Sequence, residues 1–373
     1  MNAEPVHRAL ARRDFLKFGV FAGIASATGC GLFAYAPWLD YDERAALPRS
    51  PLTPRATPAG RMRGIVRYAS LAASGHNTQP WKFSLRDGAI AIRPDFTRRL
   101  PIVDPTDREL WISVGCALEN LLVAARALGL APEATYPGVD DAVHVRLTGD
   151  TPVGGPAFDA IPLRQNTRSQ YDGRPIANDD IDRLKTVPLE PGVRVHYSLG
   201  PAELETVVDY VRQGNLEQYA DGAFLKELVH WVRFNKREAM ASLDGLYSCS
   251  SGNPEVPRWL GQIVVSGTSP RQQADADTRK LRSSSGAFVV ASESDDRTAW
   301  VRTGQVYERI ALTMTSLNIR SAFHNQPVEV ASVRSRLQAA LGLGTARPQL
   351  LVRFGHADPM PRSLRRPVEQ LLT

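Results

Sequence analysis

Residues Tyr68 to Phe83 read YASLAASGHNTQPWKF, and the rest of the chain is best understood outward from them. The stretch opens as a small-residue helix through Ala69, Leu71, Ala72 and Ala73 and breaks at Ser74-Gly75. It then sets His76, Asn77, Thr78, Gln79 and Trp81 around Pro80. Proline disfavours the α conformation in the residue before it, so Gln79 is expected to run extended, while Gly75 can take a backbone conformation closed to residues with a Cβ. Asn, Gln and His together offer donors and acceptors along one edge, which complements a planar heterocycle. A helix C-cap followed by an ordinary turn is the simpler alternative.

Upstream, Arg61 to Ala73 has Ile65, Tyr68, Ala69 and Ala72 at helical spacing, which delivers the motif at the helix end. Downstream, WKFSLR and AIAIRP alternate with period two around Asp87-Gly88, a hairpin signal. Leu110 to Leu130 reads as a long helix, and His144 to Leu147 as a strand. An internal repeat then becomes visible. GCALENLLVAARALGL from Gly115 aligns without gaps to GQVYERIALTMTSLNI from Gly304, matching the Gly, the Glu four places on (Glu119, Glu308) and a late Leu. Each copy is followed by a polar loop and a β-rich segment, which suggests two fused halves forming a pseudo-dimer.

The second half opens at Arg164-Gln165-Asn166-Thr167-Arg168. Two arginines at spacing four, with Asn and Thr between them, suit an oxyanion and carbonyl clamp; a solvated basic turn is the alternative. Glu203 to Leu246 reads as largely helical. Ser248 to Pro257 is rich in Gly, Ser and Pro, and Ser266 to Arg282 is polar without periodicity, so residues 214–282 form a candidate lid, with a simple surface excursion as the alternative. Phe288-Val289-Val290 marks a buried strand, and Trp300 to Ile319 the second long helix. The loop from Ser321 to Pro327 carries His324, either an acid or, as is commoner for a lone His, a structural hydrogen-bonding group. In the tail, Pro359 and Pro361 hold Arg362, Arg365 and Arg366 in extended chain, and a phosphate dianion needs several such cations.

The whole chain has 373 residues, 43% hydrophobic and 23% charged, with a formal charge of +6, which suits a folded protein with one large or two small cores. No Lys/Arg run is interleaved with aromatics, which argues against nucleic acid; a basic protein for an anionic cofactor has the same sign. Arg12-Arg13-Asp14-Phe15-Leu16-Lys17 precedes an uncharged run from Phe18 to Leu39, a pattern similar to a twin-arginine export signal. A retained membrane anchor and lipidation at Cys30 are the alternatives. Residues 37–60 form a Pro-rich connector. Walker, Gly-x-Gly-x-x-Gly and His-Glu-x-x-His patterns are absent, and no Cys/His pair has metal spacing.

The stretch around Pro80 resembles the Pro-Ser-x-x-Asn-x-Gln-Pro-Trp element of the nitroreductase superfamily, closely its Acg-like FMN-binding branch. Ser74, Asn77, Gln79 and Trp81 match, while Ala73 stands where the family has Pro. The resemblance implies an α+β, nitroreductase-like fold, with a first half at 61–160 and a second at 161–373, and central β-sheets flanked by long helices. It implies one FMN between the halves, in contact with Ser74, His76, Asn77, Gln79, Trp81, Arg164, Asn166, Arg168, His324, Arg362 and Arg365. The implied function is two-electron transfer through the flavin, from a small-molecule donor for which NAD(P)H is a candidate, to an unknown acceptor. The alternative is non-catalytic storage of FMN beneath a lid. No side chain is assigned as catalytic. A monomer, exported folded by the twin-arginine machinery to the periplasm or tethered to the outer face of the cytoplasmic membrane, completes the expectation.

Overall fold

A computed structural model describes residues 40–52, 57–138 and 140–373. The arginine pair, Cys30 and the apolar run of the leader lie outside these residues. Tyr41–Thr373 form one compact unit.

Helix α1, Pro58–Ala69, is capped by Thr57, whose side chain accepts from the Gly60 amide. It leads through the motif into strand β1, Trp81–Arg86, which pairs antiparallel with β2, Ala89–Pro94. Arg86 faces Ala89, so Asp87-Gly88 makes the turn, with Gly88 at φ 66°. Helix α2, Arg108–Ala127, follows, then β3, Leu130–Thr135, and β4, Val143–Gly149. The first sheet has the order β1-β2-β4-β3. Strand β3 goes beyond the sequence reading: Pro132 argues against a strand, yet β3 is an edge, where a missing donor is tolerated.

The second sheet contains β5, Val193–Ser198. Helix α3, Pro201–Gln218, and helix α4, Pro270–Arg282, follow before β6, Gly286–Ser292. Helix α5, Arg297–Ser316, then leads to β7, Arg320–Phe323, and β8, Arg347–Gly355, in the order β5-β6-β8-β7. Every residue of β6 is buried. Phe288 and Val290 join the large central core, whereas Ala287, Val289 and Ala291 pack with Val207, Val208 and Val211 of α3 and Leu281 of α4. Both faces of β6 are covered, which explains why it reads as a continuous apolar run.

Two elements differ from the sequence reading. Residues 258–282 are not an irregular excursion but two helices, Arg258–Ser266 and α4. The inward positions of α4 are Ala274, Asp277, Thr278 and Leu281, which have helical spacing; because two of the four are polar, no apolar period shows. The start of the Ser321 to Pro327 loop is strand β7, hydrogen-bonded to β8.

Helices α2 and α5 cross at close range. The glycines aligned by the internal repeat are in mutual contact: a Cβ on Gly115 would stand 2.0 Å from the Val301 carbonyl oxygen, and one on Gly304 would stand 2.0 Å from that of Ile112 and 2.9 Å from Gly115 Cα. The sequence repeat therefore marks the crossing point of the helices. After β8 the chain returns to the first half, and Thr373 donates its amide to the Phe83 carbonyl at 3.0 Å.

Candidate functional site

The motif is held in a conformation that side chains rarely adopt. His76, Asn77 and Gln79 have φ of 47°, 55° and 52°, three of the seven non-glycine residues with positive φ among the described residues. The expectation for Gln79 and Gly75 is corrected here: Gln79 is left-handed rather than extended, and Gly75 does not take the left-handed conformation. Gly75 packs closely instead, since a Cβ there would lie 3.3 Å from Leu100 Cδ1.

Such backbone persists only where its surroundings over-determine it, and long-range hydrogen bonds do so here. Asn77 Nδ2 donates to the carbonyls of Gly245 at 3.1 Å and Leu364 at 3.3 Å, and its Oδ1 accepts from Arg365 at 2.7 Å. Gln79 Nε2 donates to Leu243 at 2.9 Å, its Oε1 accepts from the Arg366 amide at 2.8 Å, and its own amide donates to Ser74 Oγ at 3.1 Å. The candidate lid and the C-terminal tail are thus both fastened to the motif.

Beside this loop lies a small cavity of about 40 Å3, room for roughly three water-sized bodies. Ser74, Asn77, Arg164, Asn166, Arg168 and Arg365 line it, so the structure brings together six of the eleven residues singled out from sequence. It adds Arg49 and Ser250, and no carboxylate lines it. Ser250 is buried and its Oγ has no partner among the described residues. Arg49 sits in the Pro-rich connector and Ser250 in the Gly/Ser-rich segment; neither carries a local signal.

The arginines differ in what they already hold. Arg164 Nη2 donates to the Leu71 carbonyl at 2.9 Å, and its Nε lies 2.9 Å from Glu308 Oε1, near enough for an ion pair but off the line of a hydrogen bond. Arg365 donates to the carbonyls of Ser70, Leu71 and Ala72 just past the end of α1, where a cation also meets the negative end of the helix dipole. Arg362 donates to Pro162. Among the described residues, the Arg168 guanidinium makes no hydrogen bond or ion pair within the chain. Burial, then Arg365, Arg362 and Arg164, hold the Arg49 guanidinium well below its ordinary pKa. An arginine does not give up its proton in a protein, so this pressure is a cost of crowded cations that a bound anion would offset.

Five of the eleven, His76, Gln79, Trp81, His324 and Arg362, do not line this cavity. Trp81 is fully buried in the core at the head of β1 and Gln79 is wholly engaged by protein, so both position the loop rather than line the cavity. His76 stands close enough to Arg168 for that cation to add to burial in depressing its pKa to about 4. His324 is 4% exposed and its Nδ1 has no partner among the described residues. Burial, with help from Arg353, Lys280 and Arg168 and against Asp277, holds its pKa down to about 3. It is therefore neutral near pH 7.

A pH dependence follows. The unfolded chain takes a proton on His324 near the ordinary value of about 6.5, the folded chain only near 3. Between these values the unfolded state binds more protons, so stability falls as pH drops, by about 1.4 kcal/mol per pH unit from this group. Urea unfolding of the His324→Gln variant between about pH 6.5 and 4.5 should show a flatter acid limb than wild type. Parallel limbs would mean that His324 protonates freely.

The candidate lid is latched by one carboxylate. Asp244 is buried and accepts from both Arg98 and Arg233, and Arg98 also donates to the Thr78 carbonyl within the motif. Both guanidinium groups lie over the Trp231 ring, at 5.5 and 5.8 Å. Flanking Asp244, Leu243 and Gly245 make the backbone contacts to Gln79 and Asn77.

No family model matches the chain. A Mycobacterium tuberculosis (strain H37Rv) protein named Putative NAD(P)H nitroreductase Rv3131 is 28% identical over 328 residues, covering 84% of this chain and 91% of that protein. Putative NAD(P)H nitroreductase acg from the same strain is 24% identical, covering 83% of this chain and 94% of its own. The chain is similar in sequence to these proteins, which are named as putative NAD(P)H nitroreductases. Its architecture is α+β, two antiparallel sheets with long helices, as that similarity leads one to expect. Among solved structures, the FMN-dependent nitroreductase NfnB from Mycobacterium smegmatis, in complex with NADPH, overlaps with a TM-score of 0.35 at 14% identity, over 54% of this chain and 88% of that one. An overlap that loose adds nothing to the sequence relationship.

Proposed function

We propose that this Acg-like protein binds one FMN per chain and acts as an oxidoreductase with NAD(P)H as donor. The observation that carries the reading is the cation-rich cavity at the strained loop, where four arginines, Ser74, Asn77 and Ser250 converge without a lining carboxylate. That donor set and volume fit a phosphate group; a whole cofactor pocket needs ~300 Å3 or more, so the rings would extend beyond this cavity. Bound flavin would supply two-electron transfer. Arg168 and Ser250 would hold the phosphate end, Arg164 and Arg365 would frame it, and His76 and Asn166 would stand beside it. The motif occurs only in the first half and the basic clamp and tail only in the second, which supports one site per chain. Export to the outer face of the cytoplasmic membrane remains part of this proposal.

The test is the visible spectrum of protein purified from Asp40 onward, followed by titration with FMN. Saturation at one equivalent and bleaching of the flavin band by NADPH are expected. A colourless protein that also ignores added FMN would falsify the reading, and saturation at two equivalents would show that the halves do not share a site.

Sequestration of FMN is the second reading, favoured by the latch at Asp244. If the latch closes the site, Asp244→Ala should speed release of bound FMN into excess apoflavodoxin by roughly tenfold or more, as loss of charge-assisted hydrogen bonds predicts. Fast release in both forms would leave the open oxidoreductase.

A further inference from the structure

A second cavity lies outside the site just described. It has a volume of about 440 Å3, within the range of ~300–1,000 Å3 usual for small-molecule sites. Arg44, Arg61, Arg63, Arg67, Arg365 and Arg366 line it against a single carboxylate, Glu369. That carboxylate is already paired with Arg63. Arg67 is occupied with the carbonyls of Pro48, Ser50 and Pro51, and Arg366 with those of Gln79 and Gln370. Arg44 and Arg61 have no side-chain hydrogen bond or ion pair among the described residues, so their charge is available to a ligand.

The remaining lining is apolar: Leu47, Leu52, Leu128 and Val368 contribute, and Leu47 is 58% exposed. A cavity for an inorganic anion alone would have no use for these leucines, and one for a neutral hydrophobe would have no use for six arginines. We propose that this cavity binds an amphipathic phosphate ester, its anionic head on Arg44 and Arg61 and its alkyl body along Leu47, Leu52 and Leu128. Only Arg365 is shared with the inner cavity, so this is a separate site, and it does not depend on the FMN reading. A phospholipid head group and a soluble alkyl phosphate share this chemistry.

The experiment uses the chain from Asp40, because Tyr41–Thr373 are a compact unit with their own core. Dodecyl phosphate below its micellar concentration, inorganic phosphate and dodecyl maltoside are titrated by calorimetry. Saturable binding of dodecyl phosphate is expected, with inorganic phosphate and the maltoside far weaker. Each arginine near an anionic surface contributes about fivefold in affinity, so Arg44→Ser with Arg61→Ser should weaken dodecyl phosphate about thirtyfold. Leu47→Asp, at an exposed position that folding tolerates, should weaken it as well. Co-sedimentation with phosphatidylglycerol vesicles, and not with phosphatidylcholine vesicles, would assign the ligand to a lipid; dodecyl phosphate binding without vesicle binding would assign it to a soluble ester. Unchanged affinity in the double arginine variant, or inorganic phosphate binding as well as the dodecyl ester, would overturn the proposal.

Discussion

Gly304→Ala is expected to destabilise the protein by at least ~3 kcal/mol, above the usual range for an added methyl group. The new Cβ would stand 2.0 Å from the Ile112 carbonyl oxygen and 2.9 Å from Gly115 Cα. All of these neighbours are backbone atoms, so no side chain can swing away. The clash is relieved only by parting α2 from α5, and both helices belong to the same central core. Gly115→Ala should do the same from the other side, against Val301. Gly222→Ala is the control, because its Cβ would meet nothing within 4 Å; it should remain within ~0.5 kcal/mol of wild type. Urea midpoints of the three variants decide the matter, and near-wild-type stability of Gly304→Ala would mean that the helices do not cross at these glycines.

Arg164→Ala is expected to cost ~3–5 kcal/mol of folding stability, because it strands a buried carboxylate. Glu308 is fully buried, burial pushes its pKa up, and Arg164 is the first influence that opposes this. Loss of FMN binding in this variant would therefore report folding as much as contact. The double variant Arg164→Met/Glu308→Leu removes both charges and should recover most of the loss. Arg168→Ala behaves oppositely: its guanidinium makes no bond within the described chain, so stability should hold while FMN affinity falls by ~1.5–3 kcal/mol. Calorimetric unfolding and FMN titration, run on all three variants, separate the roles. Equal stability of Arg164→Ala and wild type would show that the pair with Glu308 does not form.

The difference between these two arginines bears on how a site is read. Spacing presents Arg164 and Arg168 as one clamp, and both do line the inner cavity. One is nevertheless committed to Glu308 and Leu71, residues far away in sequence, while the guanidinium of the other has no partner among the described residues. Likewise Gln79 and Trp81 belong to the same motif as Ser74 and Asn77, yet both are fully buried, Gln79 on left-handed backbone and Trp81 at the head of β1. The pre-proline preference at Gln79 is a local bias of modest size. It loses to the hydrogen bonds that hold the side chain, one donated to the Leu243 carbonyl and one accepted from the Arg366 amide.

From sequence alone, the hairpin at Asp87-Gly88 and the two long helices with their aligned glycines could be determined. Turn chemistry and apolar period act over a few residues, and these features depend on nothing longer. Tertiary structure alone decided which arginines have charge to spare, that Arg49 and Ser250 reach the cavity, that residues 243–245 are fastened to the motif around Asp244, and that His76, Asn77 and Gln79 are left-handed. Each of those depends on partners tens to hundreds of residues away, as when Arg365 meets Asn77 at 2.7 Å. A donor's partner is chosen by packing, and packing across a crossing of two helices leaves no local trace except the glycines that permit it.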